Sequence, residues 1–151
     1  MNLSLNPKAF SGPLRFEWFV SEEGSTWQLA LEYLLEQMEI QEFESLLVFN
    51  YVAETLTRIG KAKLRRHYEI RPISLGQDLS LVELRWTPAQ LGQDVNLRLY
   101  AYVDYEQARL FGLCFRQKVI GLTHSETTRL QNRDIQRAIS LASRHIEANR
   151  S

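Results

Sequence analysis

The segment 95–104 restricts the fold more than any other part of the chain, because Leu97, Leu99, Ala101 and Val103 alternate with Arg98, Tyr100, Tyr102 and Asp104. Successive side chains of a strand point to opposite faces, so this period of two specifies a strand with one apolar and one polar face. A polar turn at 105–107 leads to a second run, 108–117, with Phe111, Leu113 and Phe115 expected on one face and Gly112, Cys114 and Arg116 on the other. Together they read as an antiparallel hairpin. A further strand is expected at 79–86, ended by Pro88 and the Gly92 region, and an aromatic-rich one at 14–20, broken by Glu22, Glu23 and Gly24.

Elsewhere the period becomes helical. Ser25 and Gln28 have capping-box spacing, and Trp27, Ala30, Leu31, Leu34, Leu35 and Met38 recur on one face. A second helix is expected over 41–59, with Phe43, Leu46, Leu47, Phe49, Val52, Ala53, Leu56 and Ile59 directed inward and Gly60 as its stop. Only a few residues near Glu39 separate the two, which implies a helical hairpin. Asn132 is placed to cap a last helix whose buried stripe is Ile135, Ala138, Ile139, Ala142 and Ile146, with Arg133, Arg137 and Arg144 largely outside it. This order indicates an α+β domain, a small antiparallel sheet packed with an N-terminal helical hairpin and a C-terminal helix. A chain of 151 residues buries one core, so 1–151 reads as a single domain with 1–13 as a loose leader.

The net charge of zero is unevenly spread. Residues 1–57 carry Lys8 and Arg15 against nine glutamates, a balance of −7, which leaves +7 on the remainder. Such asymmetry fits an anionic partner on the basic side, or an acidic helical pair docked on a basic sheet. Charges interrupt every apolar stretch well short of the roughly 20 residues a membrane span needs, and the N-terminus lacks the basic-then-apolar order of a secretory signal. A cytoplasmic chain with no membrane partner is therefore expected. Cys114 is the single cysteine, which leaves no internal disulfide and no cysteine cage for a metal. The sequence has no Gly-rich phosphate loop, no Ser nucleophile elbow and no His/carboxylate spacing of a metal site, so no cofactor is expected. Glu22 and Glu23 are adjacent and should diverge on an extended chain rather than form a dyad.

Three patterns follow one another along the chain: Val82-Glu83-Leu84-Arg85; Asn96-Leu97-Arg98-Leu99-Tyr100-Ala101-Tyr102; and Leu113-Cys114-Phe115-Arg116-Gln117-Lys118 followed by Asp134-Ile135-Gln136-Arg137-Ala138. With the element order, they resemble the RelE/ParE superfamily of bacterial and phage toxin–antitoxin pairs, in particular its HigB-like, phage-derived branch. The resemblance implies a toxin that enters the ribosomal A site and cuts messenger RNA as a metal-independent endoribonuclease, held inactive by a cognate antitoxin. In such chemistry the RNA 2′-hydroxyl attacks the adjacent phosphate while a base removes its proton and cations stabilise the added charge. Carried onto this chain, Arg98 and Arg116 would stabilise transition-state charge, and Arg85 and Lys118 would place the phosphate. The tyrosine that many members present near the C-terminus has no counterpart, since no Tyr follows Tyr105; His124 or His145 would supply the acid/base group, because imidazole titrates near neutrality.

Each of these residues also has a plainer reading. The strand arginines fit the solvated face of an antiparallel sheet. Lys61, Lys63, Arg65 and Arg66, with His67, form the densest basic run and suit RNA contact or a helix end complementing its dipole. Tyr100 and Tyr102 share the polar face with Arg98 and suit base stacking or ordinary sheet formation. Trp18, Trp27 and Phe16 suit a core or a docking groove for an antitoxin segment. The alternative to a ribonuclease is a non-catalytic interaction domain that keeps the fold and binds a protein partner, a reading that the sequence pI near 6.8 suits.

Overall fold

The computed structural model describes residues 13–60, 70–72, 81–87, 96–104, 106–118 and 123–150. The expected strand at 14–20 is β1 (Arg15–Trp18), and the helical hairpin is α1 (Trp27–Gln37) and α2 (Glu42–Gly60). Three further strands follow a short additional one: β2 (Ile70–Pro72), β3 (Leu81–Trp86), β4 (Leu97–Asp104) and β5 (Arg109–Gln117). The chain closes this arrangement with α3 (His124–Arg150). Residues 1–12, the basic run at 61–67 and residues 88–95 and 119–122 lie outside the described residues.

The fold is α+β with a mixed sheet in the order β1-β5-β4-β3-β2. Its β2–β3–β4–β5 portion is antiparallel, but β1 pairs with β5 in parallel, which corrects the all-antiparallel expectation. Parallel neighbours need a long crossover, and here the chain from β1 to β5 passes through both helices and the other strands. Gly112 makes the β1 contact possible. A Cβ there would fall 2.8 Å from the Phe16 ring and 2.9 Å from the Trp18 ring.

Both faces of the sheet are covered. On one, Leu84, Trp86, Leu97, Leu99 and Ala101 pack against Leu31 and Leu35 of α1 and Val48, Val52 and Ile59 of α2. On the other, Tyr100, Tyr102, Phe111 and Leu113 pack against Ile135, Ala138 and Ala142 of α3. The alternation in β4 is therefore as read, but its second face is a second core rather than a solvated surface. In β5 the register shifts between Tyr100 and Ala101, so that Tyr100 faces Cys114 while Ala101 faces Gly112. Leu113 is the extra residue of this bulge, which switches the alternation and sends Phe115 to the hairpin side and Phe111 to the α3 side. The single-face assignment of Phe111, Leu113 and Phe115 is corrected accordingly.

Three helix readings change as well. Thr26, not Ser25, caps α1, its hydroxyl accepting from the Leu29 N–H at 3.1 Å. Thr123, not Asn132, caps α3: its hydroxyl accepts from the Glu126 N–H at 3.1 Å and donates to the Glu126 carboxylate at 3.0 Å. In α2 the buried stripe is Val48, Val52, Thr55 and Ile59, leaving Phe43, Leu46 and Leu47 exposed instead of inward. Thr55 belongs in that stripe because its hydroxyl accepts from the buried Trp86 indole at 2.9 Å. Glu39, between the helices, adopts φ 58° in the left-handed region that favours glycine. No helix among the described residues is long and apolar enough to cross a membrane.

Candidate functional site

Strand register places three of the expected site residues in one row. Arg85 of β3 pairs with Arg98 of β4, which pairs with Arg116 of β5. Directly opposed residues lie about 5 Å apart at Cα, so three guanidinium groups share one rung on the α3 side of the sheet. Like charges this close require compensation, and acids from three elements provide it. Glu83, two residues before Arg85 on the same face and fully buried, lies 3.4 Å from Arg98 Nη1 and 3.7 Å from Arg85 Nε. Glu23, from the β1–α1 connection, accepts two hydrogen bonds of 2.9 and 2.8 Å from Arg116. Asp134 of α3 lies 3.5 Å from Arg116 Nε.

A second layer of pairs holds the β1–α1 connection onto α3. Arg137 donates to Glu23 at 3.0 Å and to Glu22 at 3.2 Å, and Arg144 donates to both Glu22 oxygens at 2.8 and 3.0 Å. Glu22 and Glu23 thus meet at Arg137 instead of diverging. The Arg144 hydrogen bonds hold the Glu22 carboxyl down at about 2. Burial works to raise Glu23, but hydrogen bonds from Arg116 and then Arg137 outweigh it and keep this carboxyl below the usual range. Arg116 and Arg144 are correspondingly pushed up, chiefly by those same bonds.

Beside the rung, where α3 leaves the sheet, is a cleft of about 100 Å³ lined by Arg98, Tyr100, Lys118, Arg133 and Asp134, with Gln117, Thr127, Leu130 and Gln131 completing its walls. Lys118 is fixed there because its N–H donates to the Asn96 carbonyl at 2.9 Å, extending the β4–β5 ladder by one residue. The Nε of Arg98 is buried and makes no hydrogen bond. Burial raises the Tyr100 phenol to about 12, with the Glu83 charge adding to it, so this side chain keeps its proton at neutral pH. Asp134 is also raised, by burial against the opposing pull of Arg116.

No family model, curated protein or solved structure matches the chain.

The structure brings Arg98, Lys118 and Tyr100 to the cleft and Arg85 and Arg116 to the adjoining rung, and among the described residues it places His124 and Tyr102 elsewhere. His124 is exposed at the first position of α3 and is not part of the lining. His145 is half-buried, packing against Phe111 at 4.3 Å and against Phe19 and Tyr102, and burial lowers its pKa. Tyr102 is buried and stacked on Phe111 with centroids 5.0 Å apart, which closes that face of its ring to a base. Lys61, Lys63, Arg65 and Arg66 lie outside the described residues. Sequence reading did not select Thr127, Gln131 and Asp134, although their spacing carries the stripe of Ile135, Ala138 and Ala142 one turn further back in polar form.

Proposed function

We propose that the cleft beside the arginine rung receives a phosphodiester of RNA, and that the chain is a RelE/HigB-like messenger-RNA endoribonuclease neutralised by a cognate antitoxin. The observation carrying this reading is the in-register row Arg85, Arg98 and Arg116, whose middle member Arg98 lines a cleft with two more cations, Lys118 and Arg133. A small cleft rimmed by cations suits a phosphate group better than a large apolar ligand, and charge that develops on phosphorus is met by such donors. Lys118 and Arg133 place the phosphate, Arg85 assists, and Arg98 and Arg116 meet the added charge.

Asp134 replaces His124 as the base. Its raised pKa suits proton abstraction nearer neutrality than an ordinary aspartate allows. The carboxylate takes the 2′-hydroxyl proton, the 2′-oxygen bonds to phosphorus, and the bond to the 5′-oxygen breaks. Tyr100, whose oxygen is hydrogen-bonded to Arg98, returns a proton to that leaving oxygen. The products are a 2′,3′-cyclic phosphate and a 5′-hydroxyl.

The compensation of the rung by Glu83, Glu23 and Asp134 favours a second reading, an interaction domain in which these arginines are struts. Induced expression in a bacterial host separates the two. The ribonuclease arrests growth and leaves new transcript ends, and the Lys118→Ala/Arg133→Ala double variant, accumulating to the same level, does neither. Unchanged growth with intact transcripts supports the interaction domain.

A further inference from the structure

Among the described residues, every large apolar side chain left exposed lies between Val20 and Tyr51, and all but Val20 belong to the helical hairpin. Phe43 is 71% exposed, Tyr33 64% and Leu46 59%. Between α1 and α2 runs a groove of about 330 Å³ with Leu35, Ile40, Leu46 and Phe49 as its apolar surface and Glu32, Glu36 and Glu42 at its rim. Isolated exposed apolar residues are ordinary, but their concentration on one helical hairpin, with Leu46 in the wall of its groove, marks a contact surface.

The acids identify the occupant. None of Glu32, Glu36, Glu39, Glu42 and Glu44 makes an ion pair with another described residue, whereas Glu17, Glu22, Glu23 and Glu83 all do. Two of them are also unfavourably placed. Glu32 and Glu36 are like charges one turn apart, and Glu36 sits in the last turn of α1, which holds no basic residue, at the negative end of the helix dipole. A cationic partner relieves both costs. A second copy meeting this face by two-fold symmetry would oppose glutamates to glutamates, and an anionic lipid surface would be repelled. Walls made of helices offer no strand edge to extend, which leaves an inserted helix as the fitting form.

We propose that the α1–α2 groove receives an amphipathic helix of a partner protein whose apolar stripe is flanked by Lys and Arg. The inference does not depend on the ribonuclease reading. Its test titrates the full chain with two fluorescein-labelled synthetic helices of about 18 residues sharing one leucine stripe, flanked by lysines in one and by glutamates in the other. The lysine peptide raises the anisotropy, and its affinity falls roughly tenfold on Leu46→Asn and again on Glu32→Lys/Glu36→Lys, with helicity unchanged by circular dichroism, while Lys118→Ala has no effect. Absence of binding, equal binding of both peptides, or indifference to Leu46→Asn overturns the proposal. So does a wild-type dimer in sedimentation that Leu46→Asn dissociates, since a second copy would then be the occupant.

Discussion

The cleft and the helical hairpin handle charge in opposite ways. At the rung, each arginine has a carboxylate within 3.7 Å, and the acids come from β3, the β1–α1 connection and α3. On the hairpin, five glutamates surround exposed apolar side chains with no described cation near enough to pair. Charges in the first region are part of what holds sheet, connection and α3 together. In the second, Glu42 and Glu44 complement the dipole at the start of α2, but none of the five pairs with a described cation, and a partner outside the chain would supply one. Overall neutrality therefore conceals one region whose electrostatics are settled within the fold and another whose electrostatics await a partner.

The largest expected effect breaks the first region. Arg98→Ala leaves the fully buried Glu83 without its nearest cation and should cost about 3–5 kcal/mol in denaturant unfolding, whereas Leu46→Asn on the hairpin should stay within about 0.5 kcal/mol. Equal losses would erase the distinction between the two regions. For the same reason Arg98→Ala is a poor probe of function, and Lys118 and Arg133 are the better ones. Each of those alanine variants should lower the salt dependence of RNA affinity by about one charge at unchanged stability.

Acid sharpens the contrast further. Glu23 is held below its unfolded pKa, so the stability from its pairing is present above that value and is lost as pH falls through the lowered one. Glu22 extends the window from 4.5 down to about 2. Thermal midpoints should therefore fall across this range, and Glu23→Gln should flatten the decline. Asp134 has the opposite sign. Its raised pKa means that ionisation on going to neutral pH costs stability, so Asp134→Asn should not lower the neutral-pH midpoint even as it removes cleavage. A smaller gain is expected at the hairpin turn, where Glu39→Gly should add about 1 kcal/mol by relieving the left-handed backbone.

Much of the architecture was legible in the residues. The period of two in 97–104 and the helical periods of α1 and α3 identify the elements that build both cores. Three features were not. The bulge at Leu113 depends on pairing with β4, and a one-residue insertion leaves no mark on a run as uniformly apolar as 110–115. The inward face of α2 is ambiguous because Phe43, Leu46 and Leu47 extend its apolar surface beyond one stripe, and of these Leu46 lines the groove. The parallel pairing of β1 with β5 is a long-range contact that no local pattern encodes. At the site, the strand arginines were readable by alternation, but Glu23 and Asp134 lie 93 residues and 18 positions from Arg116 in the chain, and only the fold brings them to it.

The most direct test uses purified chain and a transcript bound on ribosomes, with and without a single 2′-deoxy nucleotide at the mapped cut. A working phosphodiester site predicts a cut that ends in a 2′,3′-cyclic phosphate and that disappears with the deoxy substitution and with Lys118→Ala/Arg133→Ala. Intact transcript, or cleavage indifferent to the 2′-hydroxyl and to both cations, would contradict it and leave the arginine rung as a strut.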